Sequence, residues 1–274
     1  MSRKPGFFGR AFTALIFLFL YAPIFVLISF SFNSSKSRTV WSGFTFDWYS
    51  MLLDNSQIMD SVYTTLLVSV LAALAATILG TMAAVGFFSM KKRWRKSYMA
   101  VSDITLMNAD IVTGVALCLL FVSVGSILKY NLGFGTLLIA HITFNVPYVL
   151  LSVTPKLYQL DRNLVDAAQD LGCTWMAAFW KVVIPQILPG IVNGAIIAFT
   201  MSIDDFVISY FTAGSKVQTL SMTIYAMTRK RVTPEINAIS TLLFVSVLVL
   251  LIIINIRQIR QEEKKKRLLA AASR

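Results

Sequence analysis

An all-α integral membrane protein with six transmembrane helices is the fold class this sequence predicts, and three observations predict it. Of 274 residues, 57% are hydrophobic and only 14% charged, with a mean hydropathy of +0.71, far from the balance of a soluble domain. Six apolar runs, at about 11–32, 62–88, 99–124, 134–154, 187–211 and 236–256, each reach the roughly 20 residues that a helix needs to cross ~30 Å of hydrocarbon. Lysine and arginine are spread unevenly: 18 of the 25 fall on one side if both termini are cytoplasmic, which selects an N-in, C-in orientation. With connections this short, residues 1–274 are expected to form a single transmembrane domain.

The first run, AFTALIFLFLYAPIFVLISF, follows Arg3, Lys4 and Arg10. It is too long for the core of a signal peptide and no small-residue cleavage site follows, so it reads as an uncleaved helix. Pro23 within it is tolerable, because neighbouring helices satisfy the freed carbonyl. KKRWRK at 91–96 separates the second and third runs, and RQIRQEEKKKRLLAAASR continues the last helix as an anchor at the anionic inner surface. The net charge of +12 is therefore a topology signal, and nucleic-acid binding is not expected. Cys118 in the third run and Cys173 in a cytoplasmic segment cannot meet, so no disulfide is expected.

Several chemistries lack their residues. The sequence has no G-x-x-x-x-G-K-[ST] loop to cradle phosphates, and no G-x-S-x-G, H-E-x-x-H or C-x-x-C. Two cysteines and a single histidine make no metal set. The histidine, His141 in HITFNVPY, has two readings: an interhelical hydrogen bond, or a role along a polar pathway. The chain is thus expected to be a transport protein without catalytic residues, metal or cofactor of its own.

A half-polar island at about 160–185 interrupts the apolar pattern. As a helix, QLDRNLVDAAQDLG puts Leu160, Leu164, Ala167 or Ala168, and Leu171 on one face, with Arg162, Asp166, Gln169 and Asp170 opposite. Asp161 is placed to cap it, and Gly172 to end it in a left-handed conformation. Thr174 is placed to cap a second helix from Trp175 to about Val183, stopped by Pro185. Helix, glycine corner and helix make an elbow on the cytoplasmic side, with Ala-Ala at its centre to admit a close partner.

At the elbow the chain resembles the permeases of bacterial ABC importers. Their cytoplasmic loop carries Glu-Ala-Ala, three residues, Gly, nine residues, then Ile-x-Leu-Pro; here it stands as Asp166-Ala167-Ala168, Gly172 and Val182-Val183-Ile184-Pro185 at the same spacing. Asp for Glu, Val for Ile and Ile for Leu are the departures. Further stretches, among them GFTFDWYSML, HITFNVPYV, FTMSIDDFVISYFTAG and IYAMTRKRVTPEINA, are similar to permeases of spermidine/putrescine importers from about residue 20 to 245. The resemblance implies a type I importer permease fold whose coupling helix, through Asp166, Ala167, Ala168, Gly172 and Pro185, docks an ATPase dimer. It also implies a second permease subunit, an extracytoplasmic polyamine-binding protein, and ATP and Mg held by the ATPase rather than by this chain.

Intramembrane acids test the substrate class on physical grounds. Asp110 falls about a third of the way along the third run, and Asp204 and Asp205 lie in the outer half of the fifth. At about 2.5–3.5 kcal/mol for each charged carboxylate near a helix centre, they must face protein or a watery cavity. A flexible polycation needs such acids together with aromatic faces, here Phe206 and Tyr210. Adjacent helical residues point about 100° apart, so Asp204 and Asp205 do not both aim down one route; interhelical polar contact, or a place at the outer mouth, is the other reading. In the outer loop, Arg229, Lys230 and Arg231 either meet an acidic delivery protein or face solvent and headgroups. Another organic cation or small solute as cargo, an ion-coupled secondary transporter, and a purely structural membrane subunit are the alternatives to a polyamine importer.

Overall fold

The computed structural model describes residues 7–35, 40–230 and 234–272, with Phe7, Arg162, Lys230, Leu250, Ile254 and 257–272 described by backbone alone. Among the described residues helix is the regular structure, apart from an isolated bridge between Asn33 and Phe44. Six helices are long and apolar enough to span a membrane: Phe8–Ser31, Ser56–Ser89, Asp110–Leu128, Phe134–Tyr158, Trp175–Asp204 and Pro234–Ile253. Within the first, Phe12, Leu15, Phe17 and Leu18 are all more than half exposed, an arrangement suited to lipid rather than to water.

The chain divides into two compact units, Met1–Ser56 with Ile224–Arg274, and Gln57–Thr223. In the first, α1 (Phe7–Ser31) and α2 (Asp47–Asp54) pack on α12 (Pro234–Ala272). The turn between α1 and α2 is built on buried Asn33, whose Oδ1 accepts the Ser35 and Ser42 N–H groups and whose Nδ2 donates to the Val40 carbonyl at 2.8 Å. Buried Trp48 donates its indole N–H to the Asn33 carbonyl, also at 2.8 Å. Lys36, Arg38 and Arg231, and the N-terminal Arg3 and Lys4, lie outside the described residues.

The second unit holds α3 (Ser56–Ser89, from Gln57), α4 (Lys92–Met107), α5 (Asp110–Leu128), α6 (Phe134–Tyr158), α7 (Arg162–Asp170), α8 (Trp175–Ala178), α9 (Ile184–Asp204) and α10 (Val207–Thr212). The next helix, α11 (Leu220–Lys230), begins in this unit. Its core is made by small residues that let backbones approach, as membrane helices require. Val149 of α6 is wedged between Gly80 of α3 and Gly194 of α9: a Cβ on Gly80 would meet Val149 Cβ at 2.7 Å, and one on Gly194 would meet Val149 Cα at 3.1 Å. Ala73, Ala76, Val153, Leu157, Ile187 and Ala198 complete that core.

Three expectations need correction. The run at 99–124 is not one helix: Asn108 and Ala109 are extended, and Asn108 Nδ2 donates to Thr113 Oγ1 at 3.1 Å across the break. Asparagine competes for backbone groups in non-helical conformations, and the span begins at Asp110, which is therefore a first-turn residue rather than one a third of the way along. The run at 187–211 likewise ends at Asp204, and extended Asp205 precedes the separate α10. Third, Pro185 does not stop the helix begun at Trp175. A π-helical turn at Phe179–Val183, with the Ile184 N–H bonded to the Phe179 carbonyl, carries it into α9. The wider turn accommodates the proline, which lacks an N–H for the α register.

Candidate functional site

Two places gather the residues singled out in the sequence: the elbow between α6 and α9, and the break between α9 and α10.

At the elbow, capping follows the local sequence. The Asp161 carboxylate accepts the Asn163 N–H at 3.0 Å, and Thr174 Oγ1 accepts the Ala177 N–H at 3.3 Å. Gly172 has φ +84°, a left-handed conformation that costs a residue with a Cβ roughly 1–2 kcal/mol. Its N–H donates to the Gln169 carbonyl and the next N–H, of Cys173, reaches back to Ala168, closing the end of α7. No atom comes within 4 Å of a Cβ built on Gly172, so backbone conformation alone selects glycine here.

The elbow's apolar face differs from the expected stripe. Leu160 and Val165 pack against the core, whereas Leu164 is 44% and Leu171 86% exposed. They turn outward with Trp175 and Met176, each more than half exposed. The 3.6-residue stripe through Leu164 and Leu171 is real, but the bundle covers the neighbouring face instead. Asp166, Ala167, Gly172 and Pro185 are exposed and Ala168 is half-buried.

The α9–α10 break is built from distant parts of the chain. Asp205 Oδ1 accepts the Ile208 N–H at 3.1 Å and Oδ2 the Ser209 N–H at 2.7 Å, capping α10. Above them lies His141 of α6, 0% exposed. Its Nδ1 is 2.6 Å from Ser202 Oγ, and its Nε2 is 3.0 Å from Ser209 Oγ and 3.5 Å from Asp205 Oδ2. His141 thus takes its interhelical reading. Asp204 ends α9 exposed, with no hydrogen bond or ion pair among the described residues. The Phe206 and Tyr210 rings lie 5.5 Å apart.

Asp110 is the first residue of α5. Gly114, one turn further along α5, packs on Val207, Ile208 and Phe211, where its own Cβ would meet the Phe211 ring at 3.0 Å. This close approach sets the start of α5 beside the start of α10. Asp110 is exposed and stands in electrostatic range of Tyr148 on α6. An open groove of about 510 Å³ elsewhere in the unit, lined by Phe121, Tyr130, Asn131 and Ser215, has no acidic side chain in its lining and so is no match for a cation. Among the described residues no group of His, Cys, Asp and Glu is placed to hold a metal. Arg229 lies over the Tyr225 ring at 4.9 Å, and the Lys230 side chain and Arg231 fall outside the described residues.

The sequence points to an interhelical hydrogen bond at His141 but not to Ser202 and Ser209 as its partners. One signal was available: Ser202 and Ser209, seven residues apart, bracket an aspartate three residues ahead of Ile208, the spacing of an N-cap.

Residues 76–266 match the family described as "Binding-protein-dependent transport system inner membrane component". The putrescine transport system permease protein PotI of Escherichia coli K12 is 40% identical over 230 residues, covering 83% of this chain and 82% of the relative. The spermidine/putrescine transport system permease protein PotC is 34% identical over 247 residues in Haemophilus influenzae (90% and 95% covered) and 36% over 241 residues in Escherichia coli K12 (88% and 90%). Among solved structures, a bacterial ABC transporter that imports alginate matches with a TM-score of 0.68 at 14% identity, over 93% of this chain and 99% of its own. The MetNI methionine ABC transporter matches with a TM-score of 0.61 at 18% identity, over 79% and 98%; both share the fold. The chain therefore belongs to the family of inner-membrane components of binding-protein-dependent transport systems: it is a multi-pass inner-membrane permease subunit of an ABC system, with ATP hydrolysis on a separate subunit and solute capture on a binding protein.

Proposed function

We propose that this chain is one permease half of a polyamine importer, moving spermidine or putrescine into the cytoplasm on ATP hydrolysed by its partner. Two kinds of support converge. The relatives at 34–40% identity are permeases of putrescine and spermidine/putrescine systems. The observation that carries the reading on this chain is Asp204, a carboxylate unpaired among the described residues at a helix break within the span region, two residues ahead of the Phe206 and Tyr210 ring pair. An exposed acid in a membrane bundle is costly unless it meets water or a cation, and ammonium groups bind carboxylates and aromatic faces. Asp205 is committed to capping α10, so Asp204 and Asp110 are the acids we assign to the route, with Phe206 and Tyr210 flanking it.

The elbow is assigned to the ATPase. Leu164, Leu171, Trp175 and Met176 form an apolar outer face around Asp166, Ala167, Ala168 and Gly172, left uncovered by the described residues; a socket on the ATPase supplies the cover. In this reading α7 is the coupling helix, both termini are cytoplasmic, and a homologous second permease provides the other elbow and the other half of the route. Closing of the ATPase dimer on ATP moves both elbows together and opens the shared cavity to the binding protein.

The test is uptake by the reconstituted assembly of this chain with a partner permease, ATPase and binding protein, with radiolabelled spermidine and putrescine inside a panel of amino acids, choline and sugars. ATP-dependent accumulation of the polyamines alone is expected. Accumulation of another solute in their place contradicts the substrate, and accumulation without ATP contradicts the mechanism.

A further inference from the structure

His141 does more than fill a hole in the bundle. From the first third of α6 its two ring nitrogens reach hydroxyls on both sides of the α9–α10 break, Ser202 at 2.6 Å and Ser209 at 3.0 Å. One imidazole therefore ties three helices. The tie is needed, because α10 has only six residues, and a helix that short has no stability of its own. Its direction is set by what packs on it: Gly114 and Phe121 of α5, Ala140 of α6, the Thr136 hydroxyl donating to the Thr212 carbonyl at 2.8 Å, and the His141 contacts.

The same brace separates two adjacent acids. The Asp205 carboxylate is held at the start of α10 by two backbone N–H groups and sits 3.5 Å from His141 Nε2, its side chain only 8% exposed. Asp204 precedes it by one residue and is exposed and unpaired among the described residues. If α10 came loose, the Asp205 carboxylate would leave its cap and become a second anion beside Asp204, and the angle at which Asp204 leaves the end of α9 would no longer be fixed.

We propose that His141 is a positioning residue for transport: by bracing Ser202 and Ser209 it locks the break in the form that keeps Asp205 on the helix cap and presents Asp204 to the cationic cargo. This rests on the polyamine reading above. His141 itself touches no cargo, since it is fully buried. Removing the ring takes from the Ser202 hydroxyl its partner on α6 and from the Ser209 hydroxyl its link to α6, and buried hydroxyls that lose a partner seek new ones by moving the backbone that carries them.

A double-mutant cycle in the complete reconstituted importer tests this, with KM and kcat for spermidine measured separately in His141→Ala, Asp204→Asn and the double variant. His141→Ala is expected to raise KM on the order of tenfold, the scale set by a misplaced binding group, with a smaller change in kcat. In the Asp204→Asn background it should add less than about twofold, because the group it positions has lost its charge. His141→Gln, which keeps a donor and an acceptor, should recover most of the loss. If His141→Ala fails to assemble, Ser209→Ala, which removes one strut, takes its place in the cycle with the same expectation. Equal losses in both backgrounds, or a fall in kcat at unchanged KM, make His141 a packing residue and overturn the brace while leaving the route intact. A wild-type KM in Asp204→Asn instead overturns the route, and the role of His141 with it.

Discussion

The elbow and the α9–α10 break are both interruptions of helix, yet they are finished in opposite ways. The elbow completes its backbone locally: Asp161, Thr174 and Gly172 cap and turn it within about a dozen residues, while Leu164, Leu171, Trp175 and Met176 stay uncovered. The break draws its partners from 61 and 68 residues away in sequence and buries them, leaving Asp204 over. A region whose shape is self-sufficient and whose surface is unfinished is made for another protein. Where one of two adjacent acids is tied to a helix cap and the other is exposed without a partner among the described residues, the second acid points to a small cation.

The sharpest way to break this comparison is Gly172→Pro. Proline fixes φ near −65° and removes the N–H that bonds Gln169, so the elbow should lose its angle, and ATPase co-purification and uptake should both be abolished. Gly172→Asn, which tolerates the left-handed region and meets no neighbour, should retain both. Next in size, Asp204→Asn should lower polyamine uptake by about ten- to a hundredfold, the loss of one charge-assisted contact, with the complex still assembled on size-exclusion chromatography. Leu171→Asp should weaken ATPase binding roughly tenfold as a contact residue, yet shift the permease's own thermal stability by under about 0.5 kcal/mol, because the side chain is exposed. The smallest effect is expected at the neighbouring acid: Asp205→Asn keeps a side-chain acceptor and should change stability by only a few tenths of a kcal/mol, whereas Asp205→Ala should cost about 1 kcal/mol. Large and equal losses of uptake in Asp204→Asn and Asp205→Asn would erase the distinction between them.

How far the sequence could be read follows the same division. Asp161, Gly172 and Thr174 were legible because capping is decided within a turn of helix. The six apolar runs were legible because bilayer thickness sets their length. The proline rule misplaces the helix end at Pro185 because it assumes an α register, and the π turn at Phe179–Val183 supplies another. Periodicity found the stripe through Leu164 and Leu171 but had no means of telling a face packed on the chain's own bundle from one left for a partner. The breaks at Asn108–Ala109 and Asp205 were hidden in continuous apolar stretches, where hydropathy reports burial in lipid and not helix continuity. Ser202, Ser209 and His141 meet through tertiary packing of α6 on α9 and α10, and their sequence separation gives no register for that contact.

The most direct measurement of the central claim is made on one preparation: proteoliposomes holding the complete importer, assayed together for ATP hydrolysis and for entry of labelled spermidine, with wild type beside Asp204→Asn. The account predicts hydrolysis stimulated by the loaded binding protein in both, with spermidine entering the wild-type vesicles and entry at least about tenfold slower in the variant. Hydrolysis with no spermidine entry in the wild type, or equal entry in both, would contradict it.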